Sequence, residues 1–240
     1  MAGGAYVALS GLRTRMDQLD RVAADLANAG TAGYKSEKVT TVAVERPSFN
    51  AALQTAVDVV AGPGRLDFRN GQITPTNRDL DMALEGRGFF EVQTETGARY
   101  TRNGQFERRS DGVLVTADGQ AVMGENGPIT LGAGQISVQP DGTVRTGNTV
   151  AGKVKIVEFA DASRLRREDA GRFRYEGTAA PTRPTGTTIK SGAIEQSNVS
   201  VVDRMVQLTE VGRSFEALQR GVTVLMNDVD GKAIAELGRR

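Results

Sequence analysis

Apolar residues at the two ends of the chain recur at helical spacing, and those in the middle do not. From Ala5 they fall at steps of four and three, at Ala5, Leu9, Leu12, Met16, Leu19, Ala23 and Leu26. Near the other end Val201, Leu208, Phe215, Val222 and Val229 recur every seven residues, and Val211, Leu218 and Leu225 fill a second seam. This spacing lines one side of a helix and keeps that side turned toward a partner helix. It predicts a first helix from Ala5 to Asn28, stopped by Gly30 and Gly33, with Arg13, Asp17, Arg21 and Asp25 four apart on its outer side. The last helix is predicted to open at Ser200, with Asp203 three residues on as a capping box, and to stop near Asp230-Gly231.

Between these ends the period changes. Asn103-Gly104, Asp111-Gly112, Asp118-Gly119, Asn126-Gly127, Asp141-Gly142 and Gly147-Asn148 separate short β-prone runs. The runs are Phe89 to Val92, Val113 to Thr116, Ile136 to Val138 and Lys153 to Phe159, which reads as an antiparallel meander, sandwich or small barrel. Residues 36–79 are mixed, with a short strand expected over Lys38 to Val44 and residues 50–60 open between helix and strand. Residues 177–188 read as an extended linker. The predicted class is α+β: a discontinuous, coiled-coil-like helical domain from 1–35 and 195–240, connecting segments at 36–79 and 178–194, and a β-rich domain over 80–177.

Composition narrows the chemistry. The 240 residues include no cysteine and no histidine, which removes disulfides, thiolate metal sites, the commonest general base and the commonest transition-metal ligand. Thirty basic residues against 29 acidic ones argue against a generic nucleic-acid or membrane-surface binder. No apolar run approaches a membrane span, and the N-terminus lacks the basic and apolar regions of a cleaved secretory signal. No metal, cofactor or catalytic residue is expected.

Several residues carry a sharp reading beside a bland one. Asp79 and Asp81 could be a carboxylate pair for glycan cleavage, but two carboxylates on a turn are more often solvated. Glu85 to Phe90 lacks the pattern of a phosphate loop, and Asp228 to Gly231 lacks the later ligands of a calcium loop. Arg164, Arg166, Arg167, Arg172 and Arg174 alternate with acidic residues, as on a solvated face. Asn28, Thr31, Gly33 and Lys35 read locally as a helix stop and turn. The terminal stripes differ: Val7, Val22, Met205, Val224 and Met226 lie off the seams, so each helix has more than one apolar side. One partner cannot cover both, and an unclosed heterologous contact builds a filament. Leu9, Leu12, Met16, Leu19, Leu26, Val201, Leu208, Phe215, Leu218, Val222 and Leu225 are the candidate subunit-interface residues.

Leu9-Ser10-Gly11-Leu12 followed by Asp25-Leu-Ala-Asn-Ala-Gly-Thr-Ala-Gly-Tyr-Lys35 resembles the N-terminal signature of the rod, hook and hook-basal-body family of the bacterial flagellum. Ala24-Asp25 and Ala29-Gly30 stand where that family commonly has asparagines. Asp81-Met-Ala-Leu-Glu-Gly-Arg-Gly-Phe-Phe90, Tyr100-Thr-Arg-Asn-Gly-Gln-Phe106 and Gly112-Val-Leu-Val-Thr116 resemble the start of its β domain. Gly192-Ala-Ile-Glu-Gln-Ser-Asn-Val199 leading to Arg213-Ser-Phe-Glu216 resembles its C-terminal signature. Length and the short β domain are similar to the proximal rod members, with the distal rod members built alike. The resemblance implies a structural subunit of the periplasmic rod, exported by the type III flagellar apparatus without a cleaved signal. Its partners would be copies of itself and neighbouring rod proteins, with no nucleic acid and no membrane insertion.

Overall fold

The structure, a computed structural model, describes residues 2–38, 64–169 and 171–237; within its helices, side chains are described at residue 9, over 11–27 and over 201–224. It divides into two compact units. One holds helix α1 (Ala2–Ala27) and helix α2 (Val201–Leu237), of 26 and 37 residues, which pack on each other. Asp25, at the end of α1, pairs with Arg204, at the start of α2, at 2.9 Å, so the helices run antiparallel. Ser200 caps α2: its hydroxyl accepts from the Asp203 N–H at 3.4 Å and its carbonyl accepts from the Arg204 N–H at 3.0 Å. The stop expected near Asp230-Gly231 is absent, and the helix continues to Leu237. A lone glycine costs a helix only about 1 kcal/mol relative to alanine, and no proline follows to end it.

The second unit comprises Asn28–Ser36 and Leu66–Val199. Two-residue strands β1 (Glu37–Lys38) and β2 (Arg65–Leu66) flank residues 39–63, so most of the strand expected over Lys38 to Val44, and the stretch 50–60, lie outside the described residues. The unit's strands in chain order are β3 (Ile73–Pro75), β4 (Met82–Glu85), β5 (Phe89–Thr94), β6 (Gly97–Thr101), β7 (Phe106–Arg108), β8 (Leu114–Thr116), β9 (Ala121–Gly124) and β10 (Gly127–Pro128). There follow β11 (Ile136–Val138), β12 (Thr143–Thr146), β13 (Thr149–Lys153), β14 (Ile156–Val157), β15 (Leu165–Arg167), β16 (Arg172–Tyr175), β17 (Thr188–Ser191) and β18 (Ala193–Glu195). The main sheet has the order β15-β16-β6-β5-β9-β8-β7, with β10 on β9 and β14 on β5. β11, β12 and β13 form a separate antiparallel meander. The last two strands reach back across the chain, β17 to β4 and β18 to β3.

Successive residues of a strand face opposite ways, so Phe89 and Phe90 feed different cores. Phe90 lies with Met82, Leu84, Val92, Phe106 and Leu114, its ring edge-on to Phe106 at 5.1 Å. Phe89 lies with Tyr100, Phe159, Leu165 and Phe173, edge-on to Phe173 at 5.8 Å. The turn dipeptides act as the sequence suggests; Gly119, between β8 and β9, has φ 81°. Residues 177–188 are not a free linker, because Thr182 and Glu158 exchange backbone hydrogen bonds of 2.7 and 2.9 Å.

Candidate assembly interface

The ten stripe residues whose side chains are described separate onto two sides of the helix pair. Leu12, Leu19 and Leu26 on α1, and Leu208, Phe215, Leu218 and Val222 on α2, are half-buried. Val22 and Asp25, beside them on α1, are buried. Leu9 and Met16 are 63% and 56% exposed, and Val201 is exposed as well; the Leu225 side chain lies outside the described residues. Leu9 and Met16 share a heptad position about 60° around the helix from Leu12 and Leu19, which turns them away from the seam. On α2 the exposed apolar residues are Val202 (71%), Met205, Val206 and Val224 (66%). Met205 and Val224 were signalled by falling off the heptads. Val202 and Val206 were not singled out in the sequence, although they too fall off the heptad seams.

The second constellation lies in the β unit and joins both signature segments. Lys35, Glu195 and Arg102 are sealed from solvent. The Lys35 ammonium donates to Glu195 Oε1 at 2.5 Å and to the Arg69 carbonyl at 2.8 Å. Arg102 reaches Glu195 Oε2 at 3.2 Å and donates to the Gly86 carbonyl at 2.9 Å, while the Gly71 N–H donates to Oε1 at 2.9 Å. Burial pushes both cations below their usual pKa ranges, against the opposing pull of Glu195. The nearly buried Asp67 also faces Lys35 and is clamped by Arg69 at 2.7 Å.

Around that cluster the N-terminal segment is fixed by long-range bonds. The Gly33 N–H donates to the Glu195 carbonyl at 2.7 Å, and the Asn198 amide accepts from the Ser36 N–H and donates to the Asp67 carbonyl, each at 2.7 Å. Arg167 donates to the Tyr34 hydroxyl at 2.7 Å, lies 4.3 Å over its ring and also bonds the Lys35 carbonyl. The local reading holds for Thr31, whose N–H donates to the Asn28 carbonyl at 3.1 Å. It is incomplete for Gly33 and Lys35. Gly33 has φ 69°, and a Cβ there would stand 2.3 Å from the Asn103 nitrogen. Only glycine passes at that point.

Other candidates resolve plainly. Asp79 is exposed, whereas Asp81 is buried with its nearest cation, Arg78, at 3.9 Å, so water and glycan cannot reach its carboxyl. Of the arginines of 164–174, four are balanced within their own surface, Arg164 on Asp161, Arg166 and Arg174 on Glu176, and Arg172 on Asp169, whereas Arg167 turns to Tyr34 and the Lys35 carbonyl.

The profile described as "Flagellar hook protein FlgE/F/G D1 domain" matches residues 83–146, and that described as "Flagellar basal body rod FlgEFG protein C-terminal" matches residues 190–226. Across the whole chain, the Caulobacter vibrioides flagellar basal-body rod protein FlgF is 33% identical over 225 residues, 92% of each chain. Salmonella typhimurium FlgF is 34% identical over 244 residues, 95% of each, and Bacillus subtilis FlgG is 29% identical over 245 residues, 91% of this chain and 93% of that one. The chain therefore belongs to the flagellar basal-body rod family, whose members are structural proteins and not enzymes. Within it, the chain is most like FlgF.

Proposed function

We propose that this chain is a subunit of the proximal rod, which polymerises through its terminal helices into a hollow helical drive shaft in the periplasm. The observation that carries this reading is the apolar side left open on each helix. α1 and α2 pack on each other with Leu12, Leu19, Leu26, Leu208, Phe215, Leu218 and Val222 half-buried, which supports a coiled-coil-like pairing. Leu9, Met16, Val201, Val202, Met205, Val206 and Val224 remain for sibling subunits and neighbouring rod proteins. The β unit, with its own two cores, sets contacts between neighbouring subunits. Close-packed helices resist shear, which suits the transmission of torque. The chain reaches the rod through the flagellar type III export apparatus, and the finished tube leaves a channel for later export.

The test is a Met205→Ser/Val206→Ser double variant. In dilute solution its unfolding free energy should stay within about 0.5 kcal/mol per site of the parent, since both side chains are more than half exposed in the monomer. In a strain whose own rod gene is deleted, it should fail to restore rod assembly and swimming. Normal basal bodies and full motility would overturn the reading. The FlgG likeness over 91% of the chain keeps a distal position as the second reading. Complementation of strains lacking FlgF or FlgG separates the two positions.

A further inference from the structure

The cluster of Lys35, Arg102 and Glu195 has an unusual arrangement in sequence. Its two cations lie early and in the middle of the chain, and its only fully buried anion arrives 160 residues after Lys35. The segment that brings Glu195 also brings β17, the partner of β4, and Ile189, which is buried in the Phe90 core. It brings β18 to pair with β3, and Asn198 to bond Ser36 and Asp67. Without residues 188–198, Lys35 and Arg102 lose the carboxylate that both of them bond. The repulsion from Arg102, which adds to burial in depressing Lys35, is then opposed only by Asp67 on Lys35 and Glu158 on Arg102. An incomplete chain is thus actively opposed in closing, beyond merely lacking some contacts.

We propose that this cluster is a completion latch. The β unit is held open until the segment carrying Glu195 joins it, and then closes cooperatively on both signature segments. In a chain that emerges N-terminus first, more than four-fifths of its length must be free before the unit locks. That timing keeps the polypeptide threadable in transit, a consequence that rests on the export reading above, whereas the latch itself does not.

Amide hydrogen exchange on full-length protein tests it. Glu195→Gln should lower protection roughly 100-fold or more in β5, β6 and β9 as well as in residues 33–36, because removing one partner of a buried pair leaves uncompensated charge. Lys35→Met should cost less, since Arg102 and Glu195 stay paired, and Lys35→Met added to Glu195→Gln should restore protection at least tenfold by removing the repulsion. A loss confined to residues 28–36 and 188–199, or a double variant no better than Glu195→Gln alone, would overturn the latch. If Glu195→Gln does not fold at all, a folded double variant supports the latch and an unfolded one overturns it. Secretion of the unmodified chain through the flagellar apparatus is scored separately; its failure would remove the export reading and leave the exchange result standing.

Discussion

The two units of this chain are stabilised to different degrees by their own residues. In the β unit Phe90, Phe106, Leu114 and Val122 are fully removed from water, and the buried Lys35 and Arg102 are both matched to Glu195. In the helical unit the seam residues are half-buried, and apolar side chains at Leu9, Met16, Val202 and Val224 stay more than half exposed. Burial is what offsets the entropy of ordering a chain. The β unit has the interior of a finished domain, while the helices keep an apolar side in solvent, as the polymerisation proposed above requires.

Substitutions can break this contrast. Phe90→Ala should cost about 3–5 kcal/mol in urea unfolding followed by circular dichroism, because it empties a site at the centre of the larger core. Gly33→Ala should cost about 2–3 kcal/mol, as its methyl group meets the Arg102–Asn103 backbone in a left-handed conformation. Leu19→Ala on the seam should cost only about 1–2 kcal/mol in dilute protein and more once the protein assembles. Equal losses for Leu19→Ala and Phe90→Ala in the monomer would show that the helix pair is already a complete core, and the contrast would fail.

Acid gives the gentlest probe. The guanidinium of Arg99 holds the Glu168 carboxyl below its ordinary 4.5, and bonds from the Thr143 N–H, the Thr143 hydroxyl and Lys153 hold Asp141 down to about 2. Both carboxyls take up protons more readily unfolded than folded, so their contribution is present above about pH 4.5 and is lost as pH falls through their folded values. The urea midpoint of the β unit should therefore decline from pH 4.5 toward pH 2, and Arg99→Met should flatten the upper part of that decline. An unchanged slope in Arg99→Met would detach Glu168 from the effect.

Much of this architecture was legible from period and punctuation. The stripes around Leu12 and Leu208 located both helices, and the Asp-Gly and Asn-Gly pairs located the hairpins of the β unit, because these signals depend on near neighbours. What escaped was long-range. Nothing near Lys35 foretells Glu195, and nothing near Gly33 foretells the backbone at Asn103. The same holds for residues 177–188, whose pairing with Glu158 needs no apolar pattern of their own. The division of the α1 stripe into Leu12 and Leu19 inward, Leu9 and Met16 outward, was obscured because both sets share one spacing.

The two helices differ in length by eleven residues, about 16 Å at helical rise. Running antiparallel from a common end, they leave the tail of α2 projecting past the start of α1. Under the proposed polymerisation, units stacked along an axis through such ends would meet in a lap joint, each tail overlapping the next unit instead of butting against a flush face. A shaft joined that way would have no plane at which every contact ends at once, so bending strain would be shared between neighbouring units.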